Sequence, residues 1–175
     1  MSVSVFHEFG QYSPLLLFFL SIYLLWDQST LLFYYIIGIF MNTILNLILK
    51  GIFQQPRPLE DITKFKMAIS RGSRYLFKNG IPFDIYGMPS GHAQTILFST
   101  TFIYFSLHQY NILYLYLGIS IITMIHRLIF KYHTVIQVLI GAVVGIMMGY
   151  FVYFLAKTKL KRKLTIKLDD FNKAY

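Results

Sequence analysis

The 175-residue chain contains no cysteine, and acidic residues are scarce: seven Asp and Glu stand against 16 Lys and Arg. The absence of cysteine excludes disulfides, thiolate metal sites and a cysteine nucleophile. No carboxylate clusters in the sequence with a candidate site histidine, so a metal site built from histidine and carboxylate ligands has little support. We therefore predict that the chain uses no metal ion or other cofactor.

Charged side chains are also few, at 13% of residues, whereas soluble domains average about 25%. Uncharged runs cover 9–26, 28–49, 85–126 and 132–156. A membrane-spanning helix needs about 20 mainly apolar residues, and the third run is long enough for two such helices. The sequence predicts an all-α, polytopic transmembrane bundle with about five spans and room for a sixth, interfacial helix. The predicted spans are roughly 12–26, 30–50, 92–107, 112–128 and 133–156.

The net charge of +9 raises the question of a nucleic-acid partner. Many of the basic residues, however, lie in the segment 157–163, directly after the last predicted span. That position is typical of an anchor on anionic lipid headgroups at the cytoplasmic surface. We divide the chain into a membrane-embedded domain, 1–156, and a basic cytoplasmic tail, 157–175, and predict no nucleic-acid partner.

The second basic segment is the long loop between the second and third spans, residues 51–88. Loops of this length are usually functional or disordered. Within it, Phe65, Ile69 and Leu76 are spaced as on one helical face, which predicts a short amphipathic helix over 63–78 on the membrane surface.

Three polar clusters stand at the ends of predicted spans, and counting the crossings places all three on one face of the membrane. They are Lys50 with Arg57, Ser90 with Gly91 and His92, and Arg127 with His133. Lysine and arginine neutralise phosphate oxygens, and a serine hydroxyl and a glycine amide at a helix N-terminus add hydrogen-bond donors. Of two histidines, one can attack phosphorus while the other protonates the departing oxygen. The set favours phosphoryl transfer.

Gln137 follows His133 by four residues, about one helical turn. Its side-chain carbonyl can accept a hydrogen bond from the imidazole N–H and so keep the opposite ring nitrogen available for attack. We include Gln137 among the candidate catalytic residues for this reason.

These clusters resemble the three signature motifs of the type 2 phosphatidic acid phosphatase superfamily of membrane lipid phosphatases. The motifs are Lys50-x6-Arg57-Pro58, Pro89-Ser90-Gly91-His92 and Arg127-x5-His133. The resemblance covers about residues 30–150 and implies a six-helix bundle with a metal-independent reaction through a phosphohistidine. By motif position, His133 is the nucleophile and His92 the general acid. The residues implied to bind phosphate are Lys50, Arg57, Ser90, Gly91 and Arg127.

Two positions depart from the general pattern of the superfamily. His126 stands where a serine commonly precedes the arginine, and Gln137 stands where an aspartate normally orients the nucleophile. The segments 86–94 and 132–138 are similar to those of eukaryotic dolichyldiphosphatases, a branch in which glutamine replaces the aspartate. We therefore predict hydrolysis of polyprenyl (dolichyl) diphosphate to the monophosphate, in the endoplasmic reticulum membrane, with the active site facing the lumen.

Two alternatives follow from the same residues. The first is a phosphatidate or related phospholipid phosphatase. The second is a catalytically silent lipid-binding protein of the same fold, because a neutral amide at Gln137 stabilises a histidinium less well than a carboxylate does. The expected partners are a lipid phosphate or diphosphate and membrane lipids, and the sequence makes no prediction about oligomeric state.

Other residues within the spans have structural interpretations. Asn42 and Asn46 share one helical face and predict hydrogen bonds between helices. The glycines that recur every four residues in the last span predict close helix packing; they are Gly141, Gly145 and Gly149.

The remaining histidines receive no catalytic role. For His126 two roles are open, assistance in phosphate binding and a position at the membrane interface, and we favour the interface. We place His7 in solvent and His108 in a loop on the opposite membrane face.

Overall fold

The structure is a computed structural model that describes residues 3–58, 61–78 and 81–172. Its described helices are α1 (Val3–Leu24), α2 (Ser29–Phe53), α3 (Ile62–Ser70), α4 (Gly91–Leu107), α5 (Tyr110–Ile129) and α6 (Val135–Asn172). The strands β1 (Tyr75–Lys78) and β2 (Ile81–Asp84) form an antiparallel pair between α3 and α4. The predicted helical bundle is confirmed, and the sixth helix is α3, whereas the two strands were not predicted.

Three of the described helices are long and apolar enough, by length and composition, to cross a membrane: Ser29–Phe53, Tyr110–Ile129 and Val135–Lys161. α1 and α4, which were also predicted as spans, pack into the same bundle, α1 against α5 and α4 against α6. The outer faces of the bundle carry large exposed apolar side chains such as Phe40 and Met147. Such extensive apolar surface is stable in lipid and costly in water, so the protein is a membrane protein.

α4 lies at the centre of the bundle, in contact with α1, α2, α5 and α6. Its side chains are buried on nearly all sides, and Phe98 and Phe102 stack with each other and pack against Tyr35 of α2. Because α4 starts at Gly91, this central position brings the Ser90–His92 segment to the middle of one end of the bundle.

The glycines of α6 allow its backbone to approach that of α4 very closely. An added Cβ at Gly141 would lie 2.5 Å from Ser90 O, and one at Gly145 would overlap Gln94 O. Gly149 meets the same helix further along. Since a side chain at these positions would force the two helices apart, the packing role predicted for the glycines is confirmed.

The two asparagines of α2 make the predicted hydrogen bonds between helices, and both bond to Gln94 of α4. Asn46 Nδ2 donates to Gln94 Oε1 at 2.8 Å, and Gln94 Nε2 donates to Asn42 Oδ1 at 2.9 Å. Because an unpaired amide is costly inside an apolar bundle, these bonds fix the height of α2 relative to α4. Lys50 is thereby held at the same level as the start of α4.

The prediction of a helix over 63–78 is correct only for the first part of that segment. α3 ends at Ser70, because Gly72 adopts a positive φ of 66° and the chain leaves the helix through a Schellman motif. The chain then forms the β1–β2 hairpin, in which Tyr75 pairs with Asp84. The hairpin brings Asp84 back to the end of α2, where it lies beside Lys50.

We expect Gly145→Ala to lower the melting temperature of the protein in detergent. The new Cβ would overlap the α4 backbone, and such overpacking costs about 1–3 kcal/mol. Gly118→Ala in α5 is the matched control, because an added Cβ there meets nothing within 4 Å. The control should keep or slightly raise the melting temperature, since alanine favours a helix interior over glycine by about 0.5–1 kcal/mol. Equal changes in the two variants would contradict the described α4–α6 contact.

Candidate active site

The three predicted clusters meet at one end of the bundle, where α2 and α5 end and α4 and α6 begin. Main-chain contacts join the connecting segments: Gly87 N donates to Gln55 O at 2.6 Å, and Pro56 forms an isolated antiparallel bridge with Tyr86. The segment after α2 therefore lies directly beside the segment before α4. The predicted site residues that the structure brings together are Lys50, Arg57, Ser90, Gly91, His92, Arg127, His133 and Gln137.

Gln137, in the first turn of α6, contacts members of two clusters, His133 and Ser90, and also Pro56, the residue before Arg57. Its Oε1 lies 3.2 Å from His133 Nδ1, and its Nε2 donates to Pro56 O at 2.9 Å. Its main-chain O accepts from Ser90 N at 2.9 Å. Because an amide oxygen only accepts, His133 Nδ1 carries the proton of the neutral ring, and His133 Nε2 holds the available lone pair.

Gln137 also closes a capping box at the start of α6. Gln137 N donates to Thr134 Oγ1 at 3.3 Å, while Thr134 N donates to Gln137 Oε1 at 3.2 Å. Gly87 permits this arrangement, since an added Cβ there would lie 2.8 Å from Gln137 Oε1. The side chain of Gln137 is therefore held by the helix itself. An aspartate at this position would have no N–H to donate to Pro56 O.

His133 lies between α5 and α6 and is only 4% exposed. Burial, together with the positive charges of Arg57 and Arg127, lowers the pKa of His133 from 6.5 to about 3. The ring is therefore neutral near neutral pH. A neutral imidazole with Nδ1 protonated is the form in which Nε2 is a nucleophile.

Asp84, at the end of β2, ties together three cations around the site. Its Oδ2 lies 3.4 Å from Lys50 Nζ and 3.1 Å from Arg74 Nη2, and its main-chain O accepts from Arg57 Nε at 3.3 Å. Burial acts to raise the pKa of the Asp84 carboxyl. The hydrogen bond from Arg74 and the charge of Lys50 outweigh that effect and hold the pKa below its usual value.

Sequence reasoning missed Asp84 and Arg74 as part of this site. Both lie in the basic loop between α2 and α4. The available signal for Asp84 was that acidic residues are scarce in this chain, so an acidic residue among many basic ones is a candidate for pairing with them. The hairpin register, which the sequence did not reveal, is what brings them to the end of α2.

The start of α4 presents a hydroxyl and an imidazole. Ser90 is the N-cap residue of α4, but its side chain makes no cap hydrogen bond. Its Oγ is buried and has no hydrogen-bond partner among the residues that the structure describes. His92 Nε2 lies 3.1 Å from the main-chain O of Gln11 in α1.

Arg127, near the end of α5, is 7% exposed, and its guanidinium carbon lies 4.4 Å from the centre of the Tyr132 ring. Its Nε is buried without a hydrogen-bond partner within the described part of the chain. The guanidinium is therefore held chiefly by the face of an aromatic ring, a favourable cation–π geometry.

The prediction that His7 lies in solvent is wrong, and the burial of His126 was not predicted. His126 is 0% exposed and packs among the rings of Phe6, His7 and Phe130. His7 is partly buried, and its Nε2 lies 3.0 Å from Tyr132 Oη. The physical reason is that the chain is helical from Val3 onward, and this helix packs onto α5. His108 is exposed at the C-terminal end of α4, as predicted.

The site is rich in groups that bind anions. Lysine and arginine side chains, a serine hydroxyl and helix-terminal amides surround the two histidines, whereas no cluster of three or more metal-ligating side chains occurs among the described residues. Such a donor set binds phosphate oxygens.

Residues 31–161 match the family model of the PAP2 superfamily. The dolichyldiphosphatase of Saccharomyces cerevisiae is 32% identical over an alignment 128 residues long, which covers 67% of this chain and 48% of that protein. The chain thus spans about half the length of this curated relative. The crystal structure of Aquifex aeolicus LpxE has the same fold, with a TM-score of 0.62, 21% identity and 87% of each chain covered. The family match covers most of the chain and includes all the site residues described above, so the protein belongs to the PAP2 superfamily of phosphatases.

Proposed function

We propose that the protein is an integral-membrane lipid phosphatase that hydrolyses polyprenyl (dolichyl) diphosphate to the monophosphate through a phosphohistidine, without a metal ion. The observation that carries the proposal is the hydrogen bond between His133 Nδ1 and Gln137 Oε1. It leaves Nε2 as the nucleophilic nitrogen, and burial together with nearby cations keeps that ring neutral.

In the proposed reaction, His133 Nε2 attacks the terminal phosphorus, and the bond from that phosphorus to the bridging oxygen breaks. His92, which enters this step protonated on both ring nitrogens, donates the Nδ1 proton to the departing lipid monophosphate. A water molecule then attacks the phosphohistidine, His92 takes the proton of that water, and inorganic phosphate leaves. The two histidines thus act as nucleophile and as general acid and base.

The phosphate-binding roles rest on charge and on unpaired donors. Lys50, Arg57 and Arg127 lie close enough to the nucleophile for their positive charges to act on it, and Asp84 pairs with Lys50 on one side of the site. The buried Ser90 hydroxyl and the Gly91 amide at the start of α4 add neutral donors. A diphosphate group satisfies both the positive charge and these donors.

Gln137 favours a polyprenyl diphosphate phosphatase over a catalytically silent member of the fold. The amide makes one bond that a carboxylate also makes, to His133, and one that a carboxylate cannot make, to Pro56 O. Gln137 therefore makes specific contacts within the site. Its presence in place of an aspartate gives no reason to expect that catalysis has been lost. The similarity to a dolichyldiphosphatase favours this substrate over phosphatidate.

The proposed location is the endoplasmic reticulum membrane, with the active site facing the lumen. α6 begins at the site and continues without a break to Asn172, so its basic end, which includes Lys157, Lys159 and Lys161, lies at the far end of the bundle. Lysines directly after a span favour the cytoplasmic side. We accordingly assign 1–156 to the membrane-embedded domain and 157–175 to a cytoplasmic tail.

The first test measures phosphate release from dolichyl diphosphate and from phosphatidate by the purified protein in detergent with EDTA. We expect dolichyl diphosphate to be the better substrate, and His133→Asn to lower kcat at least about 1,000-fold, as loss of a nucleophile typically does. His108→Asn, at the other end of the bundle, is the control and should keep wild-type activity.

Each part of the proposal has its own contradicting result. A preference for phosphatidate overturns the substrate, and inactivation by EDTA overturns the metal-independent reaction. Equal phosphate release by the wild type and His133→Asn would leave the silent lipid-binding alternative standing.

A second test separates the two bonds of the Gln137 amide. Gln137→Glu keeps an acceptor for His133 Nδ1 but loses the donor to Pro56 O, so we expect KM to rise more than kcat falls. Gln137→Leu loses both bonds, and we expect kcat to fall about 10- to 100-fold, because each bond left unmade in a buried site costs about 1–3 kcal/mol. Steady-state kinetics of both variants measure these changes. A wild-type kcat in Gln137→Leu would show that the amide does not orient the nucleophile.

A further inference from the structure

The first turns of α1 lie outside the region that matches the superfamily, which begins at residue 31. They nevertheless contact the candidate site. Phe6 and His7 pack against His126, the residue next to Arg127 in sequence, and the close approach depends on Gly10, where an added Cβ would overlap the His126 ring. The segment 6–11 therefore packs closely against the end of α5.

Within this segment, His7 makes a polar contact with the residue that precedes the proposed nucleophile. Its Nε2 lies 3.0 Å from Tyr132 Oη, and the pair is partly buried. His7 also packs edge-on against Phe130, with ring centres 4.8 Å apart. The hydrogen bond thus fixes the far end of the Tyr132 side chain against α1.

Tyr132 in turn holds Arg127. The guanidinium lies over the Tyr132 ring at 4.4 Å, and Arg127 Nε has no hydrogen-bond partner among the described residues. No acidic side chain within the described part of the chain pairs with Arg127. The position of the Tyr132 ring therefore sets the position and orientation of the Arg127 guanidinium.

The same segment reaches His92. Gln11 O lies 3.1 Å from His92 Nε2, and a carbonyl only accepts, so Nε2 carries a proton and Nδ1 is the ring nitrogen that can exchange a proton with substrate. The hydrogen bonding of α1 departs from the regular helical pattern next to Gln11. Pro14 has no N–H to donate to Gly10 O, and the Ser13 hydroxyl donates to that oxygen instead, at 3.1 Å.

We infer that residues 6–11 of α1 form a positioning element of the active site, in which His7 holds Tyr132 beneath the phosphate-binding Arg127 and the Gln11 carbonyl orients His92. This inference rests on the proposed function for the role of Arg127 as a phosphate binder. His7 and Tyr132 are positioning residues, since they act through Arg127.

The test compares conservative variants that leave the site's own charges unchanged. Tyr132→Phe keeps the ring beneath Arg127 and removes the bond to His7, and His7→Phe keeps an aromatic ring and removes the same bond. We expect each to raise the inhibition constant of inorganic phosphate about five-fold, the size expected for one lost hydrogen bond, with a smaller change in kcat. The double variant should bind phosphate no more weakly than either single variant, because the two substitutions remove the same contact. His7→Gln retains a donor and should restore phosphate binding to within about two-fold of the wild type.

The control is His108→Phe, a histidine at the opposite end of the bundle, which should leave the inhibition constant unchanged. Melting temperatures of all variants identify any that fail to fold. Should His7→Phe not fold, Tyr132→Phe and His7→Gln carry the test. Additive effects in the double variant, or wild-type phosphate binding in Tyr132→Phe, would overturn the inference.

A separate readout distinguishes failure of this inference from failure of the proposed function. Inorganic phosphate that binds the folded state raises the melting temperature whether or not the protein hydrolyses lipid. If the wild type releases no phosphate from lipids but is stabilised by inorganic phosphate, and Tyr132→Phe is stabilised less, the positioning element stands while the function fails. If lipid hydrolysis is confirmed and stabilisation by phosphate is equal in both proteins, the positioning element is wrong.

Discussion

The contacts of one residue, Gln137, hold the site together. Its amide joins His133 to Pro56, and its main-chain oxygen accepts from Ser90 N, so segments that are distant in sequence meet at one helical turn. The capping box with Thr134 makes this turn part of the helix start. The orientation of His133 is thereby set by a rigid element, which is the arrangement that a site requiring accurate geometry needs.

Close helix packing is what makes the Gln137 contacts possible. Ser90 N reaches Gln137 O only because Gly141 and Gly145 let α6 lie against the backbone of α4. The hydrogen bonds from α2 to Gln94 fix the third helix of the group at a height that brings Lys50 to the same end. In a membrane, where the lipid supplies no hydrophobic force between helices, small residues and polar bonds are the expected means of such alignment.

Much of this arrangement could be predicted from the sequence. The uncharged runs predicted the helical bundle, and counting the membrane crossings predicted that the polar clusters lie at one end of it. The hairpin could not be predicted, because strands of four residues carry little periodic signal, and without its register Asp84 had no assigned neighbour. The burial of His7 and His126 was not predicted, because it depends on the first turns of α1 being helical, and helix starts are weakly encoded in a short, mixed segment without a clear cap.

The most direct test of the central claim is to trap the covalent intermediate. The purified protein would be mixed with dolichyl diphosphate, quenched in alkali, in which phosphohistidine survives, and digested for mass spectrometry. The account predicts a phosphoryl group on His133, formed within one turnover and lost with time. A phosphoryl group on another residue, or phosphate release with no phosphorylated residue at any time, would contradict it.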